Sequence, residues 1–471
     1  MQQWAMGAPT DAFERVYAAG TVDEFPERGH TREAAPRGSR FGLAHGLALG
    51  GCVLTPDEAL DPGYVVVGPD GSIAEVGRRR PGAVPLVETE GVVLPGLIDL
   101  HGHPDFNVFA PWEPPELFAN RYEWRASDLY RALVRAPQNR LLEALPPGTQ
   151  NRYAEIRALV GGVTAVQGAS GSGATDEESL VRNVDRRIFG RHRARALIDL
   201  PADDDEAGLR RLSRVVADIG AGKVDAFYIH LAEGRRDDAR SQAELDRLVE
   251  LDALTPATVV VHGTALGQRQ LGRLADAGAK LVWSPQSNLR LYAETTLAAT
   301  ALELGLPVGL GADWLPSGSP SLLAELKVAR RVLASQGRAV EPLELVVMVT
   351  SGAAAIAGLG DRLGSIATGR PADLAVLERR HEDPWVNVVE ADPSWVELVM
   401  IGGDLSYGRA DWITAVAPDA AARLEKVVAW GRPMLLDTAY TVGPPGETPP
   451  TLAELRAALI ANYPPLGPIF A

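Results

Sequence analysis

The strongest constraint on the fold is an alternation of short apolar runs with amphipathic segments between residues 97 and 311. The alternation is typical of a parallel sheet built from βα units, with helices such as 204–219 and 244–253 between the strands. Seven runs are visible where a closed barrel needs eight, so we expect either one poorly marked strand or an irregular barrel near 200–226. The runs are 97–100, 163–167, 194–200, 226–230, 258–262, 281–284 and 308–311.

Short strand patterns also flank this region on both sides. Between 43 and 93, two apolar runs are separated by Pro69-Asp70-Gly71, a sequence that favours a tight turn. Strand patterns return after 362, so we predict a small composite β-domain made of 43–94 plus 362–410 around a barrel of 95–361. The remainder is predicted to be an N-terminal extension, 1–42, with one short helix near 12–19, and a C-terminal helical extension, 411–471, with helices at 419–430 and 451–461.

Composition excludes several classes of function. The net charge of −15 and pI near 5.1 disfavour a nucleic-acid partner, which requires a clustered basic surface. The single cysteine, Cys52, excludes an internal disulfide, and no apolar run reaches the roughly 18 residues of a membrane span. We therefore predict a cytoplasmic protein with a small-molecule substrate and no nucleic-acid or membrane partner. The two terminal extensions suggest a homo-oligomer, a dimer in the simplest case.

Several apolar runs end in side chains that can bind a metal ion. His101 and His103 follow the first run, His230 ends another, and Asp313 follows the last. In a parallel α/β barrel the carboxyl ends of the strands share one face, so these side chains are expected to converge there. Imidazole and carboxylate are ligands of zinc, and a hydrolytic site also needs a carboxylate that moves a proton, which Glu233 can supply.

Six ordered motifs resemble those of the metal-dependent amidohydrolase superfamily. The branch most similar to this chain holds the cytosine, guanine and S-adenosylhomocysteine-type deaminases and the triazine hydrolases. The resemblance covers about residues 43–410 and implies a distorted (β/α)8 TIM barrel with a small composite β-sandwich, in the α/β class. The motifs are Pro-Gly-Leu-Ile-Asp-Leu-His-Gly-His at 95–103, His-Leu-Ala-Glu at 230–233, Val-Val-His-Gly at 260–263, Ser-Pro-Gln-Ser-Asn at 284–288, Gly-Ala-Asp at 311–313 and the segment 350–374.

The resemblance also implies roles for individual residues. It makes His101, His103, His230 and Asp313 the metal ligands, with Asp313 also accepting a proton from the metal-bound water. It makes Glu233 the proton shuttle for attack by a metal hydroxide. His262 is implied to be either a hydrogen-bond partner of that hydroxide or a fifth ligand.

The expected number of metal ions follows from a missing residue. Binuclear relatives often bridge two metals with a carboxylated lysine at the end of the fourth strand, whereas Lys223 lies at the beginning of its run. We therefore predict one divalent metal, zinc, with iron as the alternative. The interval before the His-x-x-Glu run also lacks the substrate-binding histidine that deaminases of this branch usually carry.

Large and polar side chains near the predicted strand ends are candidates for a substrate pocket. We expect them to bind a flat or carboxylate-bearing molecule, with an arginine pairing with the acid. The candidates are Asn107, Trp112, Arg121, Tyr122, Trp124, Arg125, Trp283, Arg290, Tyr292 and Trp314.

The sequence thus predicts a hydrolase of a C–N bond in a small nitrogen-containing, heterocyclic substrate, and specifically a deaminase. An alternative is hydrolysis of an amide, lactam or other cyclic C–N bond without release of ammonia. A different class is a catalytically silent barrel that serves as a binding or structural partner.

Overall fold

Eight short parallel strands occupy the region in which the sequence shows seven apolar runs. The structure, a computed structural model, describes residues 11–12, 46–82, 84–168, 179–438 and 449–470. Apart from Asp11 and Ala12, the predicted N-terminal extension and its short helix lie outside the described residues. The eight strands are Leu97–Asp99, Val163–Val166, Arg182–Asn183, Ala194–Leu197, Ala226–Leu231, Thr258–His262, Lys280–Trp283 and Val308–Leu310.

These strands pair in chain order as two groups. The first three form one parallel sheet and the last five form another. The two sheets meet through a parallel bridge between Gly102 and Asp313 and a hydrogen bond from Leu100 N to Leu310 O of 3.2 Å. Within the described residues, no ladder joins Arg182–Asn183 to Ala194–Leu197. The parallel strands are therefore arranged as in an irregular barrel, open at this junction.

The additional strand is not in the 200–226 interval, where we expected the irregularity. That interval contains the helix Glu206–Gly220, which begins after the capping residue Asp205. The extra strand is Arg182–Asn183, which was not predicted because it has two polar residues and no apolar run. A short antiparallel hairpin, Arg187–Ile188 with Arg191–His192, separates it from the next parallel strand.

Alternation along the strands decides which side chains face the barrel interior. Ile98, Leu100, Tyr228, Val259 and Val261 pack together inside the barrel, whereas their sequence neighbours pack against the outer helices. Because side chains alternate with period 2, the residue two positions after Tyr228, which is His230, also faces inward.

Helices cover the outside of the parallel strands, and further helices occur in the segments after the last parallel strand. The predicted helix 244–253 is found as Ala239–Glu250, and two short helices, Pro342–Val347 and Ser351–Ile356, follow later in the chain. Within the described residues, none of the helices is both long enough and apolar enough to cross a membrane. The other helices are Arg121–Ala126, Asp128–Tyr130, the π-helix Arg131–Arg135, Ala136–Ala144, Thr149–Val160, Gln268–Asp276, Pro285–Tyr292, Ala298–Glu303, Leu322–Ser335, Pro384–Glu390, Ala410–Val416 and Leu452–Asn462, with 3-10 turns at Pro104–Phe106 and Pro393–Trp395.

A nine-stranded sheet is built from segments on both sides of the parallel strands. Leu86–Pro95 pairs with Leu374–Leu377, with Pro95 opposite Leu374, and so joins the two segments. The turn after Pro69 is present, with Gly71 at a φ of 79°. The division of the chain into domains stays a prediction. In spatial order the strands are Glu425–Ala429, Arg432–Leu436, Asp404–Arg409, Val396–Ile401, Leu374–Leu377, Leu86–Pro95, Leu47–Leu54, Ala59–Val67 and Ile73–Gly77.

The C-terminal extension is not wholly helical. The predicted helix 451–461 is confirmed as Leu452–Asn462, but the predicted helix 419–430 is wrong beyond the short helix Pro418–Ala421. Glu425–Ala429 is a strand that pairs with Arg432–Leu436 across a turn at Gly431, whose φ is 78°. Pairing at the edge of the large sheet therefore overrides the helical pattern of this segment.

Candidate active site

Three histidines and one aspartate meet at the carboxyl ends of the parallel strands. His101 Nε2 lies 3.1 Å from His103 Nε2 and 3.0 Å from His230 Nε2. Asp313 Oδ1 lies 3.4 Å from His101 Nε2 and 3.5 Å from His103 Nε2. The four side chains predicted to be metal ligands are therefore brought together from the first, fifth and eighth parallel strands.

The spacing of these four side chains fits a tetrahedral metal ion. Zinc binds imidazole nitrogen and carboxylate oxygen at about 2.0–2.2 Å, which places the donor atoms of a tetrahedral site about 3.3–3.6 Å apart. The measured separations of 3.0 to 3.5 Å lie at this value or slightly below it. His101 is fully buried and Asp313 is 5% exposed, whereas His103 is a quarter exposed, so the cluster opens to one side.

Burial keeps the imidazoles neutral, which is the form that binds a metal. Burial lowers the pKa of His101 to about 3 and that of His103 to about 4, in the latter case with help from the neighbouring His101. Burial also holds the pKa of His230 well below its usual value, and the adjacent His101 acts in the same direction. Lone pairs on these nitrogens are therefore available at neutral pH.

Glu233 lies beside this cluster on the turn that follows the fifth parallel strand. The turn is tight because Ala232 has a φ of 52° and its amide donates to Glu244 Oε2 at 2.6 Å. Glu233 is 3% exposed, and burial raises its pKa to about 7 although the charge of Arg121 and a hydrogen bond from Tyr292 oppose the shift. A carboxyl group with this pKa can both take up and release a proton near neutral pH.

His262 lies on the other side of Glu233, at the end of the sixth parallel strand. Its backbone has a φ of 69°, and its Nε2 lies 3.6 Å from Glu233 Oε2. Its Nδ1 lies 3.0 Å from Asn288 Nδ2, and its carbonyl oxygen accepts a hydrogen bond from Thr296 Oγ1. The ring is therefore held between a backbone anchor and a buried amide.

Ser284 and the helix Pro285–Tyr292 that follows it contact four residues of the site, His101, Asp313, His262 and Glu233. Ser284, Asn288 and Tyr292 are four positions apart, and Ser287 is three positions after Ser284, so all four side chains lie near one face of the helix. Sequence reasoning did not assign these supporting contacts, although the spacing 284, 287, 288, 292 is a visible signal. The contacts are Ser284 Oγ to His101 Nδ1 at 2.8 Å, Ser287 to the Asp313 carboxylate, Asn288 to His262, and the Tyr292 hydroxyl to Glu233 Oε1 at 2.7 Å.

A buried glutamate not considered in the sequence stabilises the beginning of that helix. Glu325 accepts a hydrogen bond from Gln286 N at 3.0 Å and one from the Ser319 hydroxyl. Its side chain is fully buried, and burial raises its pKa to about 8. The carboxyl group is thus a fixed part of the scaffold below the metal ligands.

Arg121 and Arg125 are engaged by carboxylates of the protein itself. Arg121 is 1% exposed and donates to Asp199 Oδ1 at 3.0 Å and to Glu244 Oε2 at 2.8 Å, and its third nitrogen donates to Tyr122. Arg125 Nη1 donates to both oxygens of Asp199. Asp199, which we did not predict, follows the fourth parallel strand, where the sequence lacks the histidine of related deaminases.

Three of the predicted aromatic residues, Trp112, Trp124 and Trp314, form a packed wall beside the cluster together with Tyr130, which was not predicted. The rings of Trp112, Trp124, Tyr130 and Trp314 have centroids 5.2 to 6.5 Å apart. Phe106 connects this wall to the metal ligands, because its ring lies 5.9 Å from that of Trp314 and 6.5 Å from that of His103. Trp112 and Trp314 are buried within the wall, whereas Trp124 and Tyr130 are partly exposed.

The other candidate pocket residues hold neighbouring loops in place. Asn107 Oδ1 accepts from Leu315 N at 2.8 Å, and Arg290 donates to the carbonyl of Pro316 at 3.2 Å, so both fix the loop after Asp313. Tyr122 donates to Glu244 Oε1 at 2.7 Å, and Trp283 is fully buried with its indole nitrogen donating to Thr295. Lys223 is 70% exposed and pairs with Asp218, so it is not part of the cluster.

Comparison with known proteins shows similarity to amidohydrolases. A sequence model of the amidohydrolase family matches residues 213–405. A 5-methylthioadenosine/S-adenosylhomocysteine deaminase of Teredinibacter turnerae is 27% identical over 62% of this chain and 73% of the relative. A 5'-deoxyadenosine deaminase of Methanopyrus kandleri is 25% identical over 76% of this chain and 92% of the relative.

Solved structures show the same fold. Escherichia coli guanine deaminase has a TM-score of 0.60 at 18% identity, over 77% of this chain and 99% of that one. Zinc-bound atrazine chlorohydrolase of Arthrobacter aurescens also has a TM-score of 0.60 at 18% identity, over 76% of this chain and 94% of that one. The arrangement of the parallel strands is therefore that of a TIM-barrel-like α/β fold. These matches confirm the resemblance to amidohydrolases that the sequence motifs predict, and the family model covers residues 213–405 of this chain.

Proposed function

We propose that this protein is a metal-dependent aminohydrolase that removes an amino group from a small nitrogen heterocycle. One observation carries the proposal: the metal-binding side chains of His101, His103, His230 and Asp313 converge beside Glu233, whose pKa is near neutrality. The names of the relatives support it, because the two deaminases reported above share the family and most of their length with this chain. The reaction is hydrolysis of a C–N bond.

We assign the metal-binding role to His101, His103, His230 and Asp313, and zinc is the metal that suits three imidazoles and one carboxylate. The bound ion would supply an activated water by lowering the pKa of that water. Glu233 would take a proton from the attacking water and deliver it to the departing nitrogen, which then leaves as ammonia. Tyr292 orients the Glu233 carboxylate through its hydroxyl, and His262 faces the same carboxylate from the opposite side.

The mouth of the site favours a flat, uncharged substrate over a carboxylate-bearing one. Arg121 and Arg125 are already paired with Asp199 and Glu244, so neither is available to a substrate acid without breaking an ion pair. The partly exposed rings of Trp124 and Tyr130 offer a surface on which a planar ring can stack. We therefore narrow the two substrate types expected from the sequence to the planar one.

The fold is part of the same proposal. We propose that the eight parallel strands enclose a distorted (β/α)8 barrel and that 43–94 plus 362–410 form the composite β-sandwich beside it. The pairing of Leu86–Pro95 with Leu374–Leu377 supports this arrangement. The dimer and the cytoplasmic location stay predictions, to be tested by light scattering and by fractionation.

The direct test is ammonia release from a panel of amino-substituted purines, pyrimidines and triazines by zinc-loaded protein. We expect one or more of these compounds to be deaminated. Glu233→Gln should keep one equivalent of zinc and lose about 10²-fold or more in kcat, the scale of general acid–base catalysis. Ring opening or amide cleavage without ammonia would establish the alternative reaction. Failure to bind zinc or iron near one equivalent would instead support a catalytically silent barrel.

A further inference from the structure

We propose that Trp283, Thr295 and Asn288 form a hydrogen-bond chain that fixes the tautomer of His262. The fixed tautomer makes His262 a hydrogen-bond donor in the active site and removes it from the set of metal ligands. The kinetic consequence rests on the proposed function, whereas the tautomer itself is a property of the folded chain and needs no substrate.

The hydrogen-bond chain begins at Trp283, whose indole N–H can only act as a donor. Trp283 Nε1 lies 2.7 Å from Thr295 Oγ1, and an indole N–H can only donate. Thr295 therefore accepts from Trp283 and uses its own proton to donate to Asn288 Oδ1 at 3.2 Å. Trp283 and Asn288 are fully buried and Thr295 is 6% exposed, so solvent does not compete for these bonds.

The orientation of the Asn288 amide follows from that direction. With its oxygen facing Thr295, its Nδ2 faces His262 Nδ1 at 3.0 Å. An amide nitrogen only donates, so Nδ1 must hold a lone pair, and the proton of the neutral ring is then on Nε2. If the Asn288 amide were flipped, its NH2 group would face Thr295, whose oxygen already accepts from Trp283. The proton of the Thr295 hydroxyl would then have no acceptor among the described residues, which is unfavourable for a buried group.

The same reasoning gives the opposite result for the ligand His101. Its Nδ1 faces the Ser284 hydroxyl at 2.8 Å, and a hydroxyl oxygen can accept a hydrogen bond from Nδ1–H, which leaves the lone pair of His101 Nε2 for a metal. Distance alone does not separate the two rings, because ligand atoms of His101, His230 and His262 all lie within 4.8 Å of one another. The hydrogen-bond partner of Nδ1 therefore decides which histidine binds the metal and which donates.

The chemical role of His262 then follows from its position. Its Nε2 lies 3.6 Å from Glu233 Oε2, and its ring lies 4.7 Å from that of His101 and 5.3 Å from that of His230, so His262 stands beside both the carboxylate and the predicted ligands. A fixed donor at this place can hold the oxygen that attacks the substrate or stabilise negative charge as it develops. Trp283, Thr295 and Asn288 are thus positioning residues, since they act through His262 and do not touch the reacting atoms.

The tautomer can be read by long-range ¹H–¹⁵N NMR of zinc-loaded protein labelled with ¹⁵N-histidine. The His262 signals are assigned by their loss in His262→Gln. We expect the Nε2–H pattern in the native protein and the Nδ1–H pattern in Asn288→Asp, in which a carboxylate oxygen replaces the amide nitrogen and must accept. An Nδ1–H pattern in the native protein, or an unchanged pattern in Asn288→Asp, would overturn the proposal.

Kinetics provide the second readout. Asn288→Asp should lower kcat by about 10²-fold, the scale seen when a donor to a developing oxyanion is lost, with KM and zinc content little changed. Thr295→Val should also lower kcat, because the amide is then free to flip, whereas Thr295→Ser keeps the hydroxyl and should keep the Nε2–H pattern. Thr264→Val is the matched control, because the Thr264 hydroxyl is buried and has no hydrogen-bond partner in the described part of the chain. Equal losses of kcat in Thr295→Val and Thr295→Ser would contradict the proposed hydrogen-bond chain.

The outcomes separate this proposal from the proposed function. If no amino-heterocycle is deaminated, the function fails, but the NMR patterns still decide the tautomer. If deamination is found and Asn288→Asp keeps native kcat, the function stands and the positioning chain fails.

Discussion

The hydroxyl of Tyr292 offers the sharpest test of the role given to Glu233. It donates to Glu233 Oε1 at 2.7 Å, and both side chains are buried. A hydrogen bond to a charged group contributes about 1.5–3 kcal/mol, and about 1.4 kcal/mol corresponds to one pKa unit. Tyr292→Phe removes this donor to the carboxylate, so we expect the pKa of Glu233, already raised to about 7 by burial, to rise by about one further unit.

The sign of the effect on activity follows from the protonation state that Glu233 needs. Glu233 must be a carboxylate to accept a proton from water, so a higher pKa moves the acidic limb of the pH profile of kcat/KM to higher pH. A rise of one unit in this pKa means about a tenfold loss of kcat/KM at pH values below the pKa and little loss of kcat/KM at pH values well above it. The assay is ammonia release by zinc-loaded protein between pH 5 and 9, values chosen to lie about two units on either side of neutrality.

A matched control separates this effect from the loss of any buried hydroxyl. Tyr407 is buried in the large sheet, and its hydroxyl has no hydrogen-bond partner among the described residues, so Tyr407→Phe should leave the profile in place. An acidic limb that stays fixed in Tyr292→Phe, or moves to lower pH, would refute the reasoning. A loss that is equal at every pH would show that Tyr292 acts on something other than the Glu233 carboxylate.

Three further predictions concern stability. Arg121→Leu leaves Glu244 buried without its cation and should lower the free energy of unfolding by about 3 kcal/mol in urea titrations. The double variant Arg121→Leu/Glu244→Gln should recover part of that lost stability. A loss below about 1 kcal/mol in Arg121→Leu would contradict the role of the buried ion pair. Removal of the metal with a chelator should lower the melting temperature, and added zinc should restore it. The reason is that a ligand that binds only the folded state, at a free concentration of about 1,000 times its Kd, stabilises that state by about 4 kcal/mol. Equal melting curves with and without the chelator would oppose a resident metal. Gly234→Ala places a Cβ 2.5 Å from Ser241 Oγ and 2.7 Å from Ala119 O, so it should destabilise by about 1–3 kcal/mol, whereas Gly272→Ala, whose Cβ meets nothing within 4 Å, should not destabilise.

The sequence predicted the parallel strands well where they carry apolar runs. Thr258–His262 and Ala226–Leu231 occur within one residue of their expected bounds, because strands buried on both faces need continuous apolar side chains. Arg182–Asn183 was missed because it is only two residues long and polar, with no apolar run, and its pairing with Val163–Val166 is a tertiary feature. The strand Glu425–Ala429 was read as a helix because its partner, Arg432–Leu436, and the sheet edge beyond it are tertiary features.

The sequence indicated which residues lie near the site, but it did not indicate which groups they contact. Arg121 and Arg125 were expected to bind a substrate acid, yet both face Asp199, whose proximity depends on how the segment after His103 folds back over the fourth strand. Trp283 was expected at the pocket surface, yet it is fully buried and donates to Thr295. Periodicity places residues on a face of one element and does not say which other element covers that face.

By itself, the sequence predicted which side chains meet at the candidate metal site. His101 and His103 follow one apolar run, and His230 and Asp313 end or follow two others; the carboxyl ends of parallel strands in an α/β barrel share one face, so their convergence could be read from the chain. Only the tertiary structure decided how these groups are held and in which protonation state. Ser284 and the helix Pro285–Tyr292 contact His101, His262 and Glu233, which follow or end three different strands, and the desolvation that raises the pKa of Glu233 depends on every side chain packed around it. Burial and hydrogen-bond direction are properties of that packing, and no local pattern of residues encodes them.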